Sequence, residues 1–113
     1  MHESVLKIVQ HCEAICEQMT TLLKAKSDIE CRKEQLLLLR DCADICTLTA
    51  KYIARCSIFA KAIAHLCAHI CTTCGNACLK FSDPESQHCG KICLHCAREC
   101  MAFATMAPCD DRI

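Results

Sequence analysis

Cysteines spaced three and four residues apart are the feature of this sequence that most restricts its fold. Four segments carry a Cys-x-x-Ile-Cys motif, at Cys12–Cys16, Cys42–Cys46, Cys67–Cys71 and Cys89–Cys93. The last two segments extend the motif to CxxxCxxCxxxC, through Cys74 and Cys78 and through Cys96 and Cys100. At about 100° per residue, four such cysteines lie within an arc of about 60° on a helix. The spacing therefore predicts four helices that turn sulfur toward a shared core.

Short turn signals separate these segments. Ser27-Asp28, Ser57 and the run Ser82-Asp83-Pro84-Glu85 are typical of helix starts. With two glycines and two prolines in 113 residues, the composition argues against a loop-rich fold. We predict helices near residues 2–26, 28–55, 58–81 and 84–106, in one domain spanning residues 1–113. Because short turns make neighbouring helices antiparallel, the predicted fold is an all-α, up-down-up-down four-helix bundle with a cysteine-lined core.

The predicted core stripes of the first two helices mix sulfur with other side chains. They are Val5, Val9, Cys12, Cys16, Met19 and Leu23 in the first helix, and Cys31, Gln35, Leu38, Cys42, Cys46, Thr49 and Ile53 in the second. The end of the bundle that holds residues 5–9, 49–53, 58–64 and 103–107 is apolar and is predicted to be sealed. The opposite end, near residues 27 and 83, is predicted to admit a ligand. It carries Cys31, Cys78 and Cys89, with His88, Asp28 and Glu85 at its rim.

A cysteine-rich core has two explanations that involve no metal. Free cysteine is a small buried apolar residue, but leucine would fill thirteen core positions better and without the risk of oxidation. Disulfides would have to cross between helices, since cysteines four residues apart on one helix project side by side. An odd total of 15 cysteines and no visible secretory signal disfavour a disulfide scaffold. A thiol–disulfide redox buffer or sensor remains an alternative function.

Ligand chemistry favours Cu(I) among the metals. Zinc and iron–sulfur clusters use groups of four ligands that usually lie on loops, whereas this run of thiols is continuous and helical. Soft thiolates select Cu(I). A Cu(I) ion held by two thiolates carries a buried negative charge, so neutrality predicts about one ion per thiolate, or about 12–15 ions per chain. Storage of another thiophilic metal, such as zinc, is a further alternative.

Charge and motif content disfavour several other functions. Thirteen basic and thirteen acidic residues give no net charge, hence no electrostatic case for nucleic acid or an anionic membrane surface. No apolar run approaches the roughly 18 residues of a membrane span, so a cytoplasmic protein is expected. There is no nucleophile–base pattern and no Gly-rich loop, and the chain is not expected to be an enzyme. His11, His65, His69 and His95 lie off the predicted core stripes.

The CxxxC pairs and the two long stripes, Cys67–Cys78 and Cys89–Cys100, resemble those of bacterial copper storage proteins of the cytosolic branch. The resemblance covers about residues 8–103 and is especially close in Arg40–Cys46 and in the third helix. It implies Cu(I) bound along the bundle, assembly into a homotetramer and uptake at one open end, where His88 resembles part of a histidine-rich mouth. The implied ligands are Cys12, Cys16, Cys31, Cys42, Cys46, Cys67, Cys71, Cys74, Cys78, Cys89, Cys93, Cys96 and Cys100.

Two departures from the family pattern affect the number of Cu(I) ions that the chain is expected to bind. Met19 and Leu23 stand where such proteins often have further cysteines; Met19 can still act as a soft ligand, whereas Leu23 cannot. Cys56 and Cys109 lie at the sealed end without a partner at ligand spacing, and we predict that both are peripheral thiols. The expected capacity is therefore lower than in members with a full set of cysteines.

Overall fold

Four helices account for most of the residues that the structure describes. The computed structural model describes residues 3–106. The helices are α1 (Glu3–Lys24), α2 (Lys33–Ala54), α3 (Ala60–Leu79) and α4 (Pro84–Ala104), and a short 3-10 helix, Ile29–Arg32, precedes α2. Each helix packs against the next, and α4 packs against α1, which closes the bundle. The predicted all-α four-helix bundle is confirmed, with no strand among residues 3–106.

Side-chain hydrogen bonds lie at the starts of α4 and of the turn that precedes α3. The Asp83 carboxylate accepts a hydrogen bond from the backbone N–H of Ser86 at 3.0 Å, and Pro84 occupies the first turn. Both features favour a helix start, as the sequence predicted. The Ser57 hydroxyl accepts from the backbone N–H of Phe59 at 3.0 Å, but α3 begins only at Ala60.

The segment between α1 and α2 differs from the prediction, which began the second helix at residue 28. Residues 29–32 instead form a 3-10 helix with three residues per turn, so the inward positions shift. The prediction that Cys31 lies on the core stripe is wrong, because Cys31 is exposed and Arg32 is buried in its place. Further along α2, Leu39 is fully buried, whereas the predicted Leu38 is only partly buried.

The interior of the bundle consists of the inward stripes of the four helices. Its sulfur-rich middle is bounded at one end by Val5, Ile53, Ala60 and Phe103, each buried, which is the apolar end that the sequence predicted. By length and composition α3 could also span a membrane. This is weak support for a span, since a core helix such as α3, whose cysteine face is buried, passes the same test.

Helices α3 and α4 cross at two glycines. A Cβ atom placed on Gly75 would lie 3.0 Å from the Gly90 carbonyl oxygen, and one placed on Gly90 would lie 3.0 Å from the Gly75 carbonyl oxygen. Two ordinary side chains would hold these backbones apart. The close approach brings the cysteine rows of α3 and α4 together, with 4.0 Å between the Sγ atoms of Cys74 and Cys93.

Candidate metal centre

Twelve cysteines form a solvent-free core of sulfur. All four helices contribute, and each of these residues is fully buried: Cys12, Cys16, Cys42, Cys46, Cys67, Cys71, Cys74, Cys78, Cys89, Cys93, Cys96 and Cys100. Within the described residues every cysteine is a free thiol. Twelve of the thirteen core cysteines that the sequence predicted are therefore in the core, and we call this set the sulfur core.

Short sulfur–sulfur contacts run through the sulfur core from helix to helix. The Sγ atoms of Cys42 and Cys71 are 3.5 Å apart, and those of Cys16 and Cys93 are 3.6 Å apart. The Sγ atom of Cys71 is also 3.8 Å from that of Cys96. A disulfide bond is about 2.05 Å long, so these are contacts between separate thiols.

The same separations suit shared metal ions. With metal–sulfur bonds of about 2.3 Å, two sulfurs 3.5–4.0 Å apart subtend roughly 100–120° at the ion. That angle fits three sulfurs around one ion, whereas a linear two-sulfur site needs a separation of about 4.6 Å. The sulfur core is therefore spaced for thiolates that bridge neighbouring ions.

Three groups of four thiols lie close enough to hold an ion, with all Sγ atoms of a group within 4.8 Å of one another. These groups are Cys12, Cys42, Cys46 and Cys71; Cys12, Cys16, Cys42 and Cys93; and Cys46, Cys67, Cys71 and Cys96. Each group shares members with another. A mononuclear tetrahedral zinc site uses four separate ligands, so the overlap favours clusters in which thiolates bridge neighbouring ions.

Hydrogen bonds between thiols shift their pKa values. The contacts with Cys16 and Cys42 lower the pKa of Cys12, whereas the contact with Cys12 raises the pKa of Cys16. Hydrogen bonds with Cys74 and Cys89, together with burial, raise the pKa of Cys78. A thiolate formed here makes the next proton harder to remove unless a cation takes its place. Metal binding must therefore release protons, and its affinity must fall at low pH.

A network of polar side chains covers the end of the bundle that the sequence predicted to be open. The Arg32 guanidinium is 7% exposed and lies 2.9 Å from carboxylate oxygens of both Asp28 and Asp83. Its Nη1 also donates to Gln35 Oε1 at 3.3 Å and to Ser86 Oγ at 3.2 Å. We call these five residues the polar cap. This end is thus closed by one buried guanidinium, which helical periodicity did not predict.

The polar cap touches the sulfur core at one atom. The Gln35 Nε2 donates both to Ser86 Oγ at 3.0 Å and to the Sγ of Cys78 at 3.4 Å. Burial opposes the charge of Arg32, but hydrogen bonds from Arg32 to Asp28 and Asp83 raise its pKa. Burial likewise opposes the charge of Asp83, but hydrogen bonds from Ser86 and Arg32 lower its pKa to about 2. Both groups therefore stay charged at neutral pH.

The remaining predicted site residues lie outside the sulfur core or at its edge. Met19 is 2% exposed and continues the α1 stripe toward the polar cap. Cys31 and His88 are exposed near the same end. Cys56 is exposed in the turn before α3, with a φ of 53°, and Cys109 lies outside the described residues. The four other histidines considered above, His11, His65, His69 and His95, are exposed, as their positions off the stripes predicted.

Sequence reasoning missed two kinds of residue that shape this centre. The two glycines carried a usable signal, because both stand in mid-helix directly after a core cysteine, at Gly75 and Gly90. Arg32 carried none, since its inward position depends on the 3-10 turn before it.

Comparison with known proteins identifies a family with this architecture. A sequence model described as "Copper storage protein" matches residues 1–105. The structure is similar to that of the Cu(I)-bound copper storage protein BsCsp3, with a TM-score of 0.88, 34% identity, and coverage of 91% of this chain and 97% of that one. It is also similar to apo copper storage protein 3 from Bacillus subtilis, with a TM-score of 0.85, 33% identity, and coverage of 93% and 100%.

Two further proteins are similar over different lengths. A protein from Nitrosospira multiformis has a TM-score of 0.82 and 25% identity, with coverage of 93% of this chain and 95% of that one. An uncharacterised cysteine-rich protein of Bacillus subtilis strain 168, YhjQ, is 46% identical over 48 residues. That match spans 42% of this chain and 44% of YhjQ, less than half of either.

Proposed function

Because the chain belongs to the copper storage protein family, we propose that its sulfur core stores many Cu(I) ions as Cu(I)–thiolate. The observation that carries the proposal is the continuity of the core. Ten of its sulfurs are linked by contacts of 4.0 Å or less: Cys12, Cys16, Cys42, Cys46, Cys67, Cys71, Cys74, Cys93, Cys96 and Cys100. A continuous run of soft ligands suits bulk storage, since each thiolate can serve two ions.

Charge sets the proposed capacity. Each Cu(I) that binds replaces the proton of one thiol, so the core stays neutral when ions and thiolates are equal in number. We propose about 12–15 ions per chain, because a large excess of buried thiolate charge would be costly. Twelve buried cysteines provide the ligands, and the described sulfur core contains no cationic side chain that would stabilise extra thiolates. Met19, Cys31 and His88 remain predicted donors at the capped end.

The chemistry of the thiols and the family of the chain support a proposal for its cellular location and its assembly. Free thiols persist in a reducing compartment, which supports a cytoplasmic location. Exposed apolar side chains, among them Leu37 at 60% and Leu66 at 49%, are available for contacts between copies of the chain. We propose a homotetramer, a number that rests on the family resemblance. We also propose that the chain is not an enzyme, since a core filled with metal–thiolate offers no open position for a substrate.

An anaerobic titration tests the storage function. Reduced protein is titrated with Cu(I) in the presence of a chromogenic Cu(I) chelator, after its thiols have been counted in guanidinium. We expect about 12–15 ions to bind per chain before the chelator competes. Binding of fewer than about four ions per chain would contradict storage, because neutral filling requires many more. Weak Cu(I) binding together with tight Zn(II) binding at about half that number would favour the other thiophilic metal, because one divalent ion neutralises two thiolates. Ready oxidation to disulfides without metal uptake would favour a redox buffer.

A further inference from the structure

The polar cap lies between solvent and the Cys78 end of the sulfur core. Asp28, at its outer side, has 47% of its side chain exposed, whereas Gln35 is 1% exposed and Ser86 is fully buried. The contacts lead inward from Arg32 to Gln35 and from Gln35 to the Sγ of Cys78. A cation that approaches the core along this axis therefore meets the guanidinium before it meets a thiol.

The members of the polar cap differ in how easily they can move. Gln35 belongs to α2 and Ser86 to α4, and Asp83 caps the first turn of α4. Arg32 ends the short 3-10 helix and is held in place only by noncovalent contacts, which include the Phe81 ring 4.3 Å from its guanidinium carbon. Rotation of its long side chain breaks its contacts with Gln35 and Ser86 without unwinding a helix, which leaves Gln35 as the cap residue in contact with Cys78.

Charge favours an exchange of cations at this position. While Arg32 lies between Asp28 and Asp83, one guanidinium neutralises part of the charge of two carboxylates. When the guanidinium leaves, both carboxylates lose the positive charge beside them and attract another cation. A Cu(I) ion can then take the place of the guanidinium beside these carboxylates, and the thiol proton that it displaces in the sulfur core balances its charge. The side chains of Val5 and Ile53 at the other end are buried and uncharged.

We propose that the polar cap is a gate, with Arg32 as its moving part, that controls the passage of Cu(I) between solvent and the Cys78 end of the sulfur core. The inference rests on the proposed storage function, with uptake at this end, and adds the residue that controls its rate. The gate acts on rates in both directions. It leaves the final capacity unchanged, because none of its residues belongs to the sulfur core.

Loading kinetics test the gate. Cu(I) is supplied as its bicinchoninate complex to reduced protein, and the fall in the absorbance of that complex gives both rate and final capacity. We expect Arg32→Gln to load about tenfold faster than the unaltered protein, the factor gained when the closed state loses one charge-assisted hydrogen bond. Arg40→Gln, at an exposed position of α2, is the matched control and should load at the unaltered rate.

A second variant keeps the test decisive if Arg32→Gln fails to fold. Asp83→Asn keeps a side chain that can cap α4 but weakens the ion pair with Arg32, and it too should load faster. In a single gate the two effects are not additive, so the double variant should load about as fast as the faster single variant. Unaltered or slower loading by folded variants at both positions would overturn the gate. If their capacity were still high, the storage function would stand.

Discussion

Replacing Gly75 by alanine tests whether the close crossing of α3 and α4 holds the bundle together. The added Cβ would lie 3.0 Å from the Gly90 carbonyl oxygen and 3.0 Å from Cδ2 of Leu94. Ordinary van der Waals contacts of carbon are about 3.5–4.0 Å, so the two helices must separate or Leu94 must change its conformation. Because one of the two contacts is with backbone, a shift of the side chain alone does not relieve the strain.

Two opposing effects set the magnitude. Alanine favours a helix interior over glycine by about 1 kcal/mol. Overpacking of a core typically costs about 1–3 kcal/mol. We therefore expect Gly75→Ala to lower the free energy of unfolding by about 1 kcal/mol net, and by up to about 2 kcal/mol if the helices cannot move apart. In a domain of this size each kcal/mol changes the melting temperature by about 4–8 °C.

Thermal and denaturant unfolding of the reduced, metal-free protein measure this change. The matched control is Asn76→Ala, at an exposed position of the same helix, where only the helix preference acts and a small gain in stability is expected. If Gly75→Ala were stabilised as much as the control, the crossing would tolerate a Cβ and the reasoning from the close contact would be refuted. The variant should also show a wider range of Cu(I) affinities among its sites, since a larger separation of α3 and α4 would lengthen the 4.0 Å contact between Cys74 and Cys93.

Three further outcomes follow from the site and its surroundings. Cys56→Gly should stabilise the protein by up to about 1 kcal/mol, because Cys56 has a φ of 53° and glycine adopts that conformation without strain. Chemical denaturation measures this gain, and Cys31→Gly is an exposed control that should not gain stability. The pKa of Asp83 is lowered from 3.8 to about 2, so its contribution to stability is present above pH 4 and is lost as the pH falls toward 2. Unfolding curves of Asp83→Asn and the unaltered protein should therefore converge over that interval, and a constant gap would contradict the assigned ion pair. Cys71→Ala should lower the Cu(I) capacity by about one ion if neutrality sets the filling, whereas a loss of about four ions would indicate discrete clusters; Cys56→Ala is the control expected to retain full capacity.

The periodicity of the cysteines predicted most of the fold and most of the sulfur core. Steps of three and four residues place side chains on one helical face, and every cysteine from Cys67 to Cys100 in those steps is buried as predicted. The pattern holds because it reflects helix geometry, which tertiary packing did not change. Periodicity does not determine how far apart the helices lie, so the sulfur–sulfur distances came only from the structure.

Prediction failed where the chain leaves the α-helical period. The 3-10 turn at Ile29–Arg32 changes which side chain faces inward, and Cys31 and Arg32 exchange places relative to the expectation. In α2 both Leu38 and Leu39 lie three or four residues from the buried Gln35 and Cys42. The spacing therefore does not decide between them, and the packing of the helices buries Leu39. The sequence predicts Asp28 at this rim, Gln35 on the core stripe and Asp83 at a helix start, but helical periodicity does not predict that a buried Arg32 joins them.

The overlap of the four-sulfur groups has a consequence for how metal moves inside the protein. Cys42 and Cys71 each belong to two of the groups, and their Sγ atoms are 3.5 Å apart. We therefore expect an ion that leaves one of these sulfurs to pass directly to the other by ligand exchange. None of the three groups has a ligand set entirely its own, so we expect the first ions to bind to spread over all three groups.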